Sequence, residues 1–143
     1  MIRKLNENEI NRVMKIWKEA TIKAHDFIPE KYWIENYSIV KEEYIPKSET
    51  YVYLEESDIK GFISVINGEY IGALFIDVSC QGKGIGRKLI DYVRNIYNKL
   101  SLSVYKDNEN AVNFYKKIGF QVKCEKIDKQ THKFEYIMVD KIL

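Results

Sequence analysis

Apolar residues recur along this chain with two periods, and the places where the period changes mark out strands and helices. Residues 2–5 read as a short first strand. Asn6 or Asn8 then caps a helix in which Ile10, Val13, Met14, Trp17, Ala20 and Thr21 repeat at helical spacing. The pattern breaks over 24–29. Pro29 suits the first turn of a second helix, where an N–H would be left unpaired anyway. Trp33, Tyr37, Val40 and Tyr44 form its stripe, and Pro46 is expected to end it.

A β-rich stretch follows. Residues 51–54 alternate, 59–66 alternate less cleanly, and Asn67-Gly68 between apolar runs predicts a hairpin. Residues 70–78 form a third run, nearly all apolar over 73–76, which predicts a central strand covered on both faces. Helical spacing returns from Gly84 with Ile85, Leu89, Val93 and Ile96. Residues 100–104 predict a short strand. Over 108–118, Ala111, Phe114, Tyr115 and Ile118 share one helix side, which Gly119 stops. Residues 120–122 and 134–139 predict closing strands. The order β-α-α-β-β-β-α-β-α-β-β describes a mixed α/β fold, and its length of 143 residues suits a single unit spanning 1–143.

Composition excludes several classes. With 45% hydrophobic and 31% charged residues the chain has the balance of a globular protein, not of a disordered one. A net charge of +2, with Lys and Glu interspersed, gives no basic stripe for nucleic acid. Cys80 and Cys124 lack the spacing of a zinc site or disulfide framework, so no metal is expected. Cys80 precedes a glycine loop, but no His lies near it in sequence, which favours a small buried residue over a nucleophile. There is no apolar run of membrane length and no leader-like start, so a cytoplasmic protein with no membrane partner is expected.

The candidate chemistry lies at Gln81-Gly82-Lys83-Gly84-Ile85-Gly86, where a strand runs through glycines into a helix. Glycines let the backbone approach an anion, and the first-turn N–H groups of the helix point at it. Spacing separates the options. A dinucleotide fingerprint would need glycine at Arg87 or Leu89, and a Walker A loop would need Ser or Thr where Gly84 stands. A nucleotide-binding enzyme is therefore disfavoured.

Gln81, Gly84 and Gly86 match Q/R-x-x-G-x-G/A, the coenzyme A loop of the GNAT superfamily of N-acetyltransferases. The segment from Asn108 through Ala111, Phe114, Tyr115, Lys117 and Gly119 to Phe120 also resembles that family's N-x-x-A-x-x-F-Y-x-K-x-G-F motif. Ala24-His25-Asp26-Phe27-Ile28, Tyr32-Trp33 and Ala73-Leu74-Phe75-Ile76 are similar to a group of small bacterial members, some linked to lysine acetylation. The resemblance implies a central mixed sheet of about seven strands, splayed between the fourth and fifth and flanked by about four helices. It implies transfer from acetyl-CoA to a primary amine, on a small molecule or a protein lysine, by direct attack in a ternary complex. The other reading is an acyl-CoA sensor of the same fold without turnover. A monomer or homodimer is expected.

The resemblance also implies roles. Backbone N–H groups of Gln81, Gly82, Lys83, Gly84, Ile85, Gly86 and Arg87 would hold the pyrophosphate, with Lys83 and Arg87 either adding charge or serving as ordinary exposed cations. Leu74, Phe75 and Ile76 would line the pantetheine arm, with the Leu74 N–H facing the acetyl oxygen. Val78 would also border the cofactor, standing where many members have proline. Asn108 would bond the arm, cap its helix or do both, and Ala111, Phe114 and Lys117 would flank the cofactor. Tyr115 is the candidate general acid, since a thiolate of pKa near ~8.5 accepts a proton readily from a phenol. His25, Phe27, Tyr32, Trp33 and Tyr70 are candidates for the acceptor site. No base is assigned: Tyr70 is expected on the face of Leu74 but is too weak an acid to serve, and His25 and a water chain remain open.

Overall fold

Seven strands hydrogen-bond into one sheet in the order β1-β2-β3-β4-β5-β7-β6. They are β1 (Ile2–Lys4), β2 (Glu49–Glu55), β3 (Asp58–Ile66), β4 (Tyr70–Ile76), β5 (Ser101–Tyr105), β6 (Phe120–Asp128) and β7 (Lys133–Asp140). The computed structural model describes residues 1–141, so the last two residues of the expected 1–143 unit lie outside the described residues. Neighbouring strands are antiparallel except β4 and β5, which are parallel.

Alternation sends Tyr51, Tyr53, Ile63 and Val65 to one face of the sheet, and Val52, Leu54 and Phe62 to the other. On the first face, α4 (Ile85–Arg94) contributes Leu89, Ile90 and Val93, and α5 (Glu109–Lys117) contributes Val112 and Tyr115. On the second, α1 (Ile10–Ala24) contributes Val13, Met14, Ile16 and Trp17. Each such buried side chain is worth roughly 1.5–3 kcal/mol of transfer free energy, so both faces are held by apolar burial.

Several expectations are corrected. The helical run does not end before Pro46. α2 (Glu30–Ile39) continues through a widened turn at Val40–Tyr44, where Ile45 N–H reaches back to Val40 O, into the single turn α3 (Ile45–Lys47). The widened turn restarts the register, so Pro46 sits near a helix start and its missing N–H costs little. β6 extends to Asp128, well past 122. Among the described residues it pairs only with β7, and its polar solvent-facing residues hide the alternation. β4 stops at Ile76, and Val78 begins a short 3-10 turn (Val78–Cys80) instead of ending the strand.

β4 also carries a bulge. Ser64 pairs with Ala73 and Val65 with Ile71, leaving Gly72 as the extra residue. A Cβ on Gly72 would come within 2.8 Å of Ile66 Cδ1. The bulge shifts the alternation, so Ile71 and Leu74 pack on the α4/α5 side while Ala73 and Phe75 pack toward α1. Tyr70 therefore does not share the face of Leu74, as the unbroken alternation predicted. Its hydroxyl donates to Ser103 Oγ at 2.9 Å, on the α1/α2 side.

The exit of β4 is anchored by Arg12 of α1. Its guanidinium donates to Ile59 O (2.8 Å) and Asp77 Oδ2 (2.7 Å) and pairs with Asp58 (3.3 Å). The other Asp77 oxygen accepts from Ser79 N and Oγ at 2.9 and 2.7 Å. Hydrogen bonds from Arg12 and Ser79 hold the Asp77 carboxyl well below the usual carboxylate range. A carboxyl depressed on folding stabilises the fold fully above its unfolded pKa, near ~3.9, and loses that contribution as pH falls below it. Arg12→Ala is expected to cost about 2 kcal/mol in urea unfolding with an unchanged m-value, and to flatten the acid limb of stability below about pH 4.

Candidate active site

β4 and β5 pair only at Tyr70 with Ser101 and Ile71 with Leu102, and then diverge. Both faces of 73–76 are packed, as expected of a central strand, but the edge toward β5 is open and these residues are only half-buried along the parting. Asp77 N–H donates to Lys60 O at 2.8 Å. Antiparallel pairs alternate between bonded and non-bonded, so Phe75 and Ala73 also point their main-chain groups at β3. Leu74 and Ile76 then point theirs at the opposite edge, which β5 has left. In agreement, Ile76 O accepts from Gln81 Nε2 at 3.2 Å.

This parting forms a cavity of about 990 Å³ that runs from the glycine loop, past β4 and α5, to the ends of α1 and β7. Its floor at the loop end is built by backbone conformation. Gly82 and Gly84 adopt φ of +80° and +82°, and a Cβ at either would meet no heavy atom within 4 Å. Glycine is needed there for left-handed backbone, and the space above it is open. Gly84 caps α4 without any side-chain hydrogen bond, leaving first-turn N–H groups to face an anion. Lys23 reaches Gln81 Oε1 at 3.5 Å, and Arg87 and Lys117 line the same end. This open, cationic cradle fits a pyrophosphate.

The structure brings Leu74, Phe75, Ile76, Gln81, Gly82, Gly84, Ile85, Gly86 and Arg87 onto the cavity wall. Asn108, Ala111, Phe114, Tyr115 and Lys117 of the second motif join them. It does not bring Lys83 or Val78 there. Gly86 has a packing role besides, since a Cβ on it would meet Phe114 Cζ at 3.4 Å.

Asn108 caps α5 through Oδ1, which accepts from Ala111 N at 3.3 Å, and its Nδ2 lies 3.3 Å from His25 Nε2. His25 Nδ1 lies 2.7 Å from Thr21 O. These contacts fix one tautomer: Nδ1–H donates to Thr21, and Nε2 accepts from Asn108. Burial lowers the His25 pKa, keeping the ring neutral, although the Thr21 carbonyl works the other way. With both nitrogens engaged, His25 orients Asn108 and has no nitrogen left to accept a proton from an amine.

Tyr115 is buried against Phe114 and Phe120 and makes no side-chain hydrogen bond among the described residues. Burial, with a smaller effect from Tyr70, pushes its phenol above the ordinary value, so it stays protonated. His25, Phe27, Tyr32 and Trp33 gather in one aromatic cluster around Tyr105, but only His25 and Trp33 reach the cavity. Tyr32 instead donates to Gln130 Oε1 at 2.8 Å, tying α2 to the β6–β7 turn.

Sequence reasoning missed Ser103, Tyr105 and Glu135, which line the α1/α2 side. A signal was present. In β5, Leu102 and Val104 are buried while Ser101, Ser103 and Tyr105 are only partly so, and a polar face on an interior strand points to a cavity.

Gly84→Ala is expected to keep the fold, since its Cβ clashes with nothing. The left-handed backbone should cost about 1–2 kcal/mol and weaken binding of coenzyme A, read by calorimetric titration. An unchanged affinity would show that the cradle lies elsewhere.

The comparisons with known proteins agree with this geometry. Residues 23–135 match the family model described as Acetyltransferase (GNAT) domain. The peptidyl-lysine N-acetyltransferase YiaC of Escherichia coli (strain K12) is 32% identical over 122 residues, covering 85% of this chain and 84% of that protein. The solution structure of apo YjaB from Escherichia coli superposes with a TM-score of 0.86 at 28% identity, covering 99% of this chain and 97% of that one. The fold is also that of PaiA N-acetyltransferase from Thermoplasma acidophilum, solved in complex with coenzyme A (TM-score 0.80, 21% identity, 99% and 98% covered). The chain belongs to the GNAT acetyltransferase family, and it is an acetyl-CoA-dependent N-acetyltransferase.

Proposed function

We propose that this enzyme acetylates the ε-amino group of protein lysines, with small primary amines as the other acceptor class. YiaC and YjaB, both about 32% identical, are peptidyl-lysine N-acetyltransferases. The observation that carries the reaction is the parting of β4 from β5, which turns the Leu74 main chain toward the same cavity that Tyr115 lines. Acetyl-CoA supplies an activated thioester, and the residues of this chain position it and manage protons. The loop from Gln81 to Arg87 holds the pyrophosphate through backbone N–H groups. Asn108, kept in place by His25, bonds the pantetheine arm.

Leu74 N–H faces the acetyl oxygen and stabilises the negative charge that grows there during direct attack by the neutral amine. A preorganised donor of this kind is worth about 3–4 kcal/mol. Tyr115 then donates its proton to the departing sulfur. No carboxylate or imidazole of β4 stands ready as a base, and water in the cavity carries the amine's proton away. An acyl-CoA sensor without turnover is not favoured, because a buried, protonated Tyr115 beside the arm serves turnover and not binding alone. We place the enzyme in the cytoplasm, where acetyl-CoA is made and used, working through residues 1–143 as one unit, as a monomer or homodimer. Among the described residues, no helix is long and apolar enough to cross a membrane.

The reading is tested by following free thiol with acetyl-CoA and a panel of lysine peptides and amines. Release with a lysine peptide is expected, and coenzyme A binding without release for any acceptor would favour a sensor. Tyr115→Phe should keep the KM for acetyl-CoA and lose about 10²–10⁴-fold in kcat. Since burial raises the phenol's pKa, kcat of the native enzyme should show no loss of the acid below about pH 10.

A further inference from the structure

Four carboxylates line this cavity, Asp26, Asp107, Glu109 and Glu135, and among the described residues Glu135 is the one that is partly buried, with no hydrogen bond or ion pair of its own. It lies on β7 opposite Tyr105 of β5 and lines the α1/α2 end, away from the cations that line the loop end. Burial and the neighbouring Asp128 both disfavour its charge, and no hydrogen bond offsets them. Asp128 is provided for, accepting from Tyr105 Oη at 2.6 Å and Gln130 N at 2.9 Å. Lys126, the cross-strand neighbour of Glu135 on β6, shares its face and favours its charge, but it forms no ion pair with it and does not line the cavity. His25, on the facing end of α1, is neutral, and Tyr105 stays protonated through burial and its bond to Asp128. Nothing on the α1/α2 side neutralises Glu135 from within the cavity.

Lys23, Arg87 and Lys117 line the end where the anionic donor lies, the exposed Asp26, Asp107 and Glu109 stand at the rim in water, and Glu135 is the partly buried charge where an acceptor must approach. A half-buried carboxylate without a partner costs the fold stability. It gains a partner when a cation comes within reach.

We propose that Glu135 selects the acceptor by charge, pairing with the ammonium of an incoming lysine or other cationic amine at the α1/α2 end of the cavity. This rests on the acetyltransferase reading above and adds the group that makes the acceptor site prefer a cation. The amine docks as an ammonium on Glu135, and the neutral form that attacks is reached after its proton passes to water.

The test is Glu135→Gln, which keeps shape and removes charge. Docking is read without turnover by NMR titration of Nα-acetyl-lysine methylamide into the coenzyme A complex. The affinity should fall about 10- to 100-fold in the variant. In steady state, the KM for a lysine peptide should rise by a similar factor, kcat should change far less, and the KM for acetyl-CoA should hold. Methoxyamine, uncharged at neutral pH, should be acetylated equally by both forms. The variant's Tm should not fall, because the carboxylate it removes is unpaired.

Equal lysine-amide affinity in the two forms would overturn the proposal, as would a loss of kcat at constant KM. A native enzyme that docks the lysine amide but releases no thiol with any amine would instead count against the transferase reading, leaving the docking role supported.

Discussion

Among the described residues, two parallel rungs, Tyr70 with Ser101 and Ile71 with Leu102, are all the pairing that joins the two halves of the sheet. Beyond them a β-strand gives up its hydrogen bonds on one side, which costs free energy unless something else meets those groups. The parting persists because the halves are held by their outer partners. β4 is bonded along its length to β3, and β5 to β7. Side chains of α4 and α5 pack across the α4/α5 face, spanning both halves from beneath. The bared edge of β4 is therefore a permanent feature of the fold, and its main-chain donors are aimed in advance.

The same parting lets two sides of a sheet share one space. Sheet faces are ordinarily isolated from each other by the backbone between them. Here Tyr115 comes from the α4/α5 face, while His25, Tyr105 and Glu135 come from the α1/α2 face, and all line one cavity. Donor-holding groups and acceptor-facing groups can thus belong to separate packing layers. Substitutions that reshape the aromatic cluster around Tyr105 need not disturb the glycine cradle.

The donor side was legible in the sequence because its chemistry is written in local patterns. The loop from Gln81 to Gly86 needs glycine at left-handed positions, and the helix from Asn108 places its residues at fixed offsets. The hairpin at Asn67-Gly68 was legible for the same reason, with φ of 54° and 71°. The turn at Glu56 and Ser57 adopts similar angles, 51° and 69°, without either signature residue, and nothing local announces it. The acceptor side depends on which strands become neighbours. Glu135 faces the cavity only because β7 inserts between β5 and β6, a pairing between distant segments. The single-residue bulge at Gly72 reversed the expected face of Tyr70, since a period of two carries any slip onward.

Helix α1 touches both lips of the cavity. Near its start Arg12 grips the exit of β4, and just past its end His25 grips the first residue of the α5 motif. The two grips are thirteen residues apart, roughly 20 Å along the helix axis. A helix of that length resists stretching far more than a loop does, so α1 works as a spacer rod between the donor strand and the donor helix. The aperture is then set by one rigid length, and inserting a residue into α1 would rotate one grip by about 100° relative to the other. Lineages of this enzyme should therefore tolerate change in the sequence of α1 on its solvent side far better than change in its length.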